Sequence, residues 1–307
     1  MHALALLNAA AALLAGGDPR VAALTPREKA ALVVVSGQPA PAGVGGVFVR
    51  GDREPRPRGA LVFADQEGGL VKDLPRLPPW NSARAYTSEG EARLAGRATG
   101  RALRRAGVDV DLAPVLDTAG GPLGSRHFRR PLIGVAFARG LLDGGAGACP
   151  KHFPGLGTAV VSTDERPHVE ARVTTPQLAA FRSAVAAGVP CVMVGHAFYA
   201  SLGGGRFRAT LEPAAYRLLR SLGFRGVAIT DSMNVVSSPP AYWPAKAMRA
   251  GADLLLYTNP RYARRAIEAL LPLARRGELD AAVARVLALR RRYGVTDASA
   301  GPTSRRG

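Results

Sequence analysis

The sequence predicts an α/β protein folded as a (β/α)8 barrel of the TIM type, with a weak or missing eighth strand. Seven short, nearly continuous apolar runs recur along the 307 residues, and helical patterns separate most of them. Runs of that kind mark strands buried on both faces of a parallel sheet, which needs a covering layer of helices. Strand and helix alternating seven or eight times in a chain of this length fit an eightfold barrel. A doubly wound open sheet is the alternative, but no G-x-G-x-x-G follows the first strand.

Taken in order, residues 3–15 (ALALLNAAAALLA) are either a signal-like core or an amphipathic first helix stopped by Gly16 and Gly17. No Lys or Arg precedes them, which tilts the reading to the helix and to a cytoplasmic over a secreted protein. The strand candidates are 44–49 (VGGVFV), 61–65 (LVFAD), 108–115 (VDVDLAPV), 147–153 (GACPKHF), 191–196 (CVMVGH), 226–231 (GVAITD) and 252–257 (ADLLLY). Helical periodicity covers 89–106, 176–187, 212–221 and 261–275, whereas REPRPR at 53–58 is too proline-rich for an element. This gives an extension over 1–24, a barrel over 25–293 and a disordered tail over 294–307.

Composition narrows the class. With 47% hydrophobic residues the chain can repay its ordering entropy, so it is no disordered protein. No apolar run reaches 18 residues, so no membrane-spanning helix is expected. Two cysteines, Cys149 and Cys191, make no disulfide framework or zinc site and are expected as buried packing thiols. The net charge of +18 rests on 41 Lys and Arg, of which only Lys29, Lys72, Lys151 and Lys246 are lysines. The arginines are scattered, so specific nucleic-acid binding is not expected, although attraction to anionic polymers is.

Ionisable residues end five of the strands: Asp65 with Glu67, Asp117, Lys151 with His152, His196 and Asp231. In a barrel these ends share one mouth, where sites are built. Each could instead cap the helix that follows, and Asp117 is read that way. Carboxylates with a few cations suit the vicinal hydroxyls of a carbohydrate better than a phosphate, which favours glycine-rich turns. No metal or organic cofactor is implied.

The motifs GVGGVFV (43–49), FADQEGGLVKDLP (63–75), GVDVDLAPVLDT (107–118), GSRHF (124–128), KHFPGLG (151–157), VMVGHAFY (192–199), GFRGVAITDSMN (223–234) and AMRAGADLLLY (247–257) occur in one order. In them the chain resembles the catalytic barrel of glycoside hydrolase family 3, in its single-domain β-N-acetylglucosaminidase branch. The resemblance implies a retaining glycosidase acting on a β-linked sugar, N-acetylglucosaminyl cell-wall material among them. It also implies that Asp231 is the nucleophile and that Asp65, Arg126, Lys151 and His152 hold the sugar; His196, as a strand-end residue of the same mouth, is expected to bind substrate with them. A positive Lys151–Arg126 neighbourhood would keep Asp231 ionised.

The departures are local. Leu156 stands where the family has His, Leu70 where it has Arg, and Ser162-Thr163-Asp164 where its Asp-Ser-His triplet supplies the acid/base pair. Asp164 is the first candidate for a substitute acid, with Glu165 and His168 as alternatives on a glycine-flanked loop built to move. The other outcome is a catalytically impaired barrel that binds sugar or peptidoglycan fragments.

Overall fold

The computed structural model describes residues 18–57, 59–234 and 243–295; the expected helix at 3–15 and the tail beyond 295 lie outside the described residues. Eight parallel strand segments follow one another around a ring in chain order. They are β1 (Val34–Ser36), β2 (Gly46–Phe48), β3 (Leu61–Ala64), β6 (Val110–Asp111), β7 (Gly147–Ala148), β9 (Cys191–Val194), β11 (Val227–Thr230) and β12 (Leu255–Tyr257). Ladders join β1 through β7, β9 to β11, and β12 back to β1. Single bridges, Phe153 to Val194 and Ile229 to Leu254, complete the closure.

The eighth strand is therefore present, at the beginning of the barrel rather than missing. β1 escapes the pattern because its VVS merges with the apolar end of the helix before it. The β6–β7 ladder is short for a local reason. Pro114 and Pro150 cannot donate to a neighbour, so regular pairing stops and resumes only as the bridge from Val115 to Lys151.

Side chains alternate along each strand. Val35, Phe48, Leu61, Phe63, Val110, Leu112, Met193, Val227, Ile229, Leu254 and Leu256 fill the barrel interior. Val34, Val47, Val62, Ala64, Val192 and Ala228 point outward into a second core beneath the helices. Cys149 and Cys191 also face inward, and because their segments neighbour each other they are joined as a disulfide, with Cα atoms 4.5 Å apart. The expectation of unpaired packing thiols is corrected accordingly.

The described helices are α1 (Pro19–Ala22), α2 (Pro26–Leu32), α3 (Glu89–Arg105), α4 (Pro131–Asp143), α5 (Thr175–Ala186), α6 (Pro213–Ser221), α7 (Trp243–Ala250), α8 (Pro260–Arg275) and α9 (Asp280–Arg292). Among the described residues none is long and apolar enough to cross a membrane. Among the described residues no helix lies between β1 and β2 or between β2 and β3; loops make both connections, while the strands themselves stay buried. A recess of about 510 Å³ lies in that place, lined by Leu24, Leu32, Val44, Val47 and Ala60. Across the far end, Val286 and Leu289 of α9 join the interior core, and Arg290 Nη2 donates to Gly59 O just before β3.

Buried Asp253 shows how outer helices are fastened to the barrel. Its carboxylate accepts the Ala228 N–H at 2.8 Å and guanidinium N–H groups of Arg220 and Arg285 at 2.6 and 2.7 Å. Helices α3 and α4 are held differently, backbone against backbone. A Cβ added at Gly96 would lie 2.2 Å from Phe137 O, and one at Gly140 2.2 Å from Arg93 O. Neither neighbour is a side chain that can swing away. Gly140→Val should therefore lower the thermal midpoint by roughly 2–10 °C, the size expected for overpacking a helix contact in a domain this large. A melting curve within a degree of wild type would refute the contact.

Candidate functional site

The C-terminal ends of β3, β6, β7, β9 and β11 bring the expected residues to one mouth. At its centre is Lys151, an ammonium group buried at the end of the 147–153 segment. It donates to Asp65 Oδ1 at 2.5 Å and lies 2.6 Å from Glu67 Oε1. Glu67 is held in turn by a fork from Arg126, whose Nε and Nη2 each donate at 2.9 Å. Arg126 ends a short 3-10 turn, Gly124–Arg126. The Asp65 side chain keeps 25% of its surface while that of Glu67 keeps 2%, so Asp65 is the carboxylate that faces the open pocket.

Position along the β4–β5 hairpin (Gln66–Gly68 and Val71–Lys72) explains this division. Asp65 and Glu67 alternate with Gln66, which points the other way into the loop behind. Gln66 Nε2 donates to Leu74 O, Leu77 O and Pro78 O, and its Oε1 accepts the Leu74 N–H. Asp73 closes the hairpin by accepting the Asp65 N–H at 2.7 Å. Burial, and then the Asp65 charge, push the Asp73 carboxyl up to about 7. Leu70 sits at the hairpin tip, 85% exposed.

Asp231 follows β11 directly. Burial pushes its carboxyl up, but the His196 and His152 imidazoles, the Ser232 N–H at 2.7 Å and Lys151 together hold it below the ordinary value. The histidines thus come ahead of Lys151, and Arg126 is engaged with Glu67; the expected Lys151–Arg126 neighbourhood is not what chiefly keeps Asp231 ionised. His196 itself is pulled down by burial, against the pull of Asp231. Its Nδ1 meets Thr210 Oγ1 at 2.9 Å and its Nε2 meets Ser232 O at 3.0 Å. Both ring nitrogens are thereby used within the protein, and they steady the turn that carries Asp231.

Asp117 is no helix cap: the next helix begins only at Pro131. Its buried carboxylate instead accepts the His152 ring N–H at 2.7 Å and the Leu156 N–H at 2.5 Å. Burial lowers His152, but Asp117 and then Asp231 outweigh it and raise the imidazole above its ordinary value.

The 156–174 loop is fastened rather than free. Glu170–Ala171 pairs in parallel with Phe198–Tyr199, Tyr199 Oη donates to Gly155 O at 2.8 Å, and Arg208 Nη2 donates to Pro167 O at 2.9 Å. On it, Asp164 takes up a turn in which its N–H donates to Ser162 Oγ at 3.2 Å. The exposed Asp164 carboxylate adds a minor upward pull on Arg126 and on His196, which burial still lowers overall. His168 is directed elsewhere, stacked on Phe198 with ring centroids 4.2 Å apart, and Glu165 is exposed.

Sequence reasoning underrated Glu67 and misread Asp117. The signal for Asp117 was present, since no helix-forming stretch follows it within reach of a cap. Glu67 yields a test of the charge cluster. Its carboxyl is held at about 2, below the ordinary 4.5: burial opposes this, and Lys151 and Arg126 prevail. A depressed carboxylate contributes its full stabilisation above pH 4.5 and loses it as the pH falls through 2. Glu67→Gln should cost up to about 3–5 kcal/mol of unfolding free energy at pH 7 and flatten the acid limb of the stability curve. An unchanged acid limb would show that Glu67 does not carry the cluster.

Comparisons with known proteins place the barrel in a family. The "Glycosyl hydrolase family 3 N terminal domain" profile matches residues 50–289. A β-hexosaminidase from Stenotrophomonas maltophilia is 31% identical over 250 residues, covering 71% of this chain and 72% of that protein. A family 3 β-N-acetylglucosaminidase structure from Paenibacillus superposes with a TM-score of 0.79 at 27% identity, covering 92% of this chain and 65% of the other. A family 3 glycosyl hydrolase from Mycobacterium smegmatis gives 0.77 at 29% identity, covering 88% of this chain and 98% of its own. With a matched domain, a shared barrel and one cluster at its mouth, the chain belongs to glycoside hydrolase family 3.

Proposed function

We propose that the protein is a retaining β-N-acetylhexosaminidase whose catalytic domain spans residues 25–293. The observation that carries this reading is the pocket itself. Asp231, a carboxylate kept ionised, ends β11 at the mouth where the part-open Asp65 pairs with buried Lys151, and its charge acts on His152. Asp231 would attack the anomeric carbon of a terminal sugar, forming a glycosyl ester as the bond to the leaving oxygen breaks. Asp65, Lys151 and His152 supply the acceptors and donors that grip its hydroxyls. Arg126 acts through Glu67, which it holds, and His196 braces the Asp231 turn.

Asp164 supplies the proton in this scheme. It would pass its proton to the leaving oxygen and then take one from the water that hydrolyses the ester. The support is its place on the loop: it is the first ionisable side chain there, while Glu165 is exposed and His168 packs on Phe198. Ser162 Oγ donates to Asp164 Oδ2 at 3.5 Å, where the family's acid/base pair joins Asp and His.

Two measurements test the reading. Aryl N-acetyl-β-glucosaminides should be hydrolysed by the wild type, and Asp231→Asn should lose at least about a hundredfold in turnover with little change in melting temperature. An Asp231→Asn protein that keeps wild-type turnover would place the nucleophile elsewhere. Asp164→Ala should slow disaccharides with poor leaving groups by ~10²–10⁴-fold and spare dinitrophenyl glycosides, which depart without a proton. Equal losses on both would leave Asp164 a binding role, and a wild type inert towards both would favour a sugar-binding barrel.

A further inference from the structure

We propose that Asp117 is the positioning residue of this site: one buried carboxylate that aims the His152 ring into the sugar pocket and anchors the root of the Asp164 loop. The inference rests on the glycosidase reading for its meaning, but its geometry stands apart from it. Three donors from a single short stretch converge on Asp117. Oδ2 accepts from the His152 ring Nδ1 at 2.7 Å and from the His152 backbone N–H at 3.3 Å. Oδ1 accepts the Leu156 N–H at 2.5 Å. Residues 152–156 are therefore wrapped around one carboxylate, and the chain continues in contact with its neighbour: a Cβ at Gly157 would fall 2.0 Å from Thr118 Oγ1.

This arrangement does two things. With Nδ1–H committed to Asp117, the ring orientation is fixed and Nε2 is the nitrogen left for a substrate hydroxyl, as a donor whenever the ring is charged. The charges that act on the ring come from three elements: Asp117 beyond β6, Lys151 on its own segment, and Asp231 beyond β11, on which His196 also acts. The two carboxylates outweigh burial and the Lys151 charge, so the ring keeps its proton to a higher pH than an ordinary imidazole. Meanwhile the Leu156 anchor sets where the loop departs toward Ser162 and Asp164. Sugar grip and proton delivery share one carboxylate.

The test is Asp117→Asn, which keeps the shape and removes the charge. The His152 imidazole, followed by NMR titration, should lose about one unit or more of its pKa. A site that needs charged His152 works below that pKa, so the alkaline limb of kcat/KM on aryl glycosides should move to lower pH by a similar interval. Asp117→Glu should return part of the shift. An Asp117→Asn protein with an unchanged His152 titration, or with a loss of activity uniform across pH, would overturn the proposal. If Asp117→Asn does not fold, Asp117→Glu is titrated in its place: the displaced carboxylate must shift the His152 titration, and an unchanged titration is the negative result. The titration needs no turnover, so an enzyme inactive on every glycoside would sink the glycosidase reading while still deciding the Asp117–His152 link.

Discussion

An ammonium group taken out of water is costly unless carboxylates meet it, and the mouth of this barrel is organised by that requirement at Lys151. Two carboxylates satisfy the cation, yet Glu67 then lies buried with charge to spare, and Arg126 must reach it. These demands draw the end of β3, the β4–β5 hairpin, the Gly124–Arg126 turn and the proline-flanked 147–153 segment to one point. Asp65 is what remains partly uncovered once the pairing is complete. The partly open carboxylate is thus defined by what the buried ones cannot do.

Around that centre the imidazoles divide their work. His196 commits both nitrogens to Thr210 and Ser232. His152 keeps one nitrogen for the pocket because Asp117 takes the other. Neither ring needs a metal or a distant charge to fix its orientation. The replacement of the family's acid/base triplet is accommodated in the same spirit: the loop retains its anchors at Gly155, Pro167 and Glu170, and only the chemistry at its crest changes.

Much of this was legible in the sequence. Strands buried on both faces declare themselves as apolar runs, and the residues that end them had to share a face, which brought Asp65, Lys151, His152 and Asp231 forward. What stayed hidden was pairing at long range. Nothing local says that Arg126 is engaged by Glu67, 59 positions away, rather than lying beside Asp231. Asp117 was misjudged because a strand-end Asp usually caps a helix, and the gap before Pro131 was not weighed. β1 was lost because a helix and a strand that are both apolar share no visible seam. The cysteines were underrated because partnership across adjacent strands depends on register, which composition does not reveal.

The connections on either side of β2 have a further meaning. β1 and β2 are buried, but residues 38–43 and 50–57 are loops open to solvent beside a recess, and none of them belongs to the charged mouth. Local opening is cheapest where backbone has few apolar neighbours, so amide exchange in this barrel should begin in these loops and reach the buried strands last. Breathing there leaves the Lys151 cluster, held by the ends of β3 and later segments, undisturbed. The protein is in this sense built with a soft rim on one side and a stiff one on the other, and the charge cluster is mounted on the stiff one.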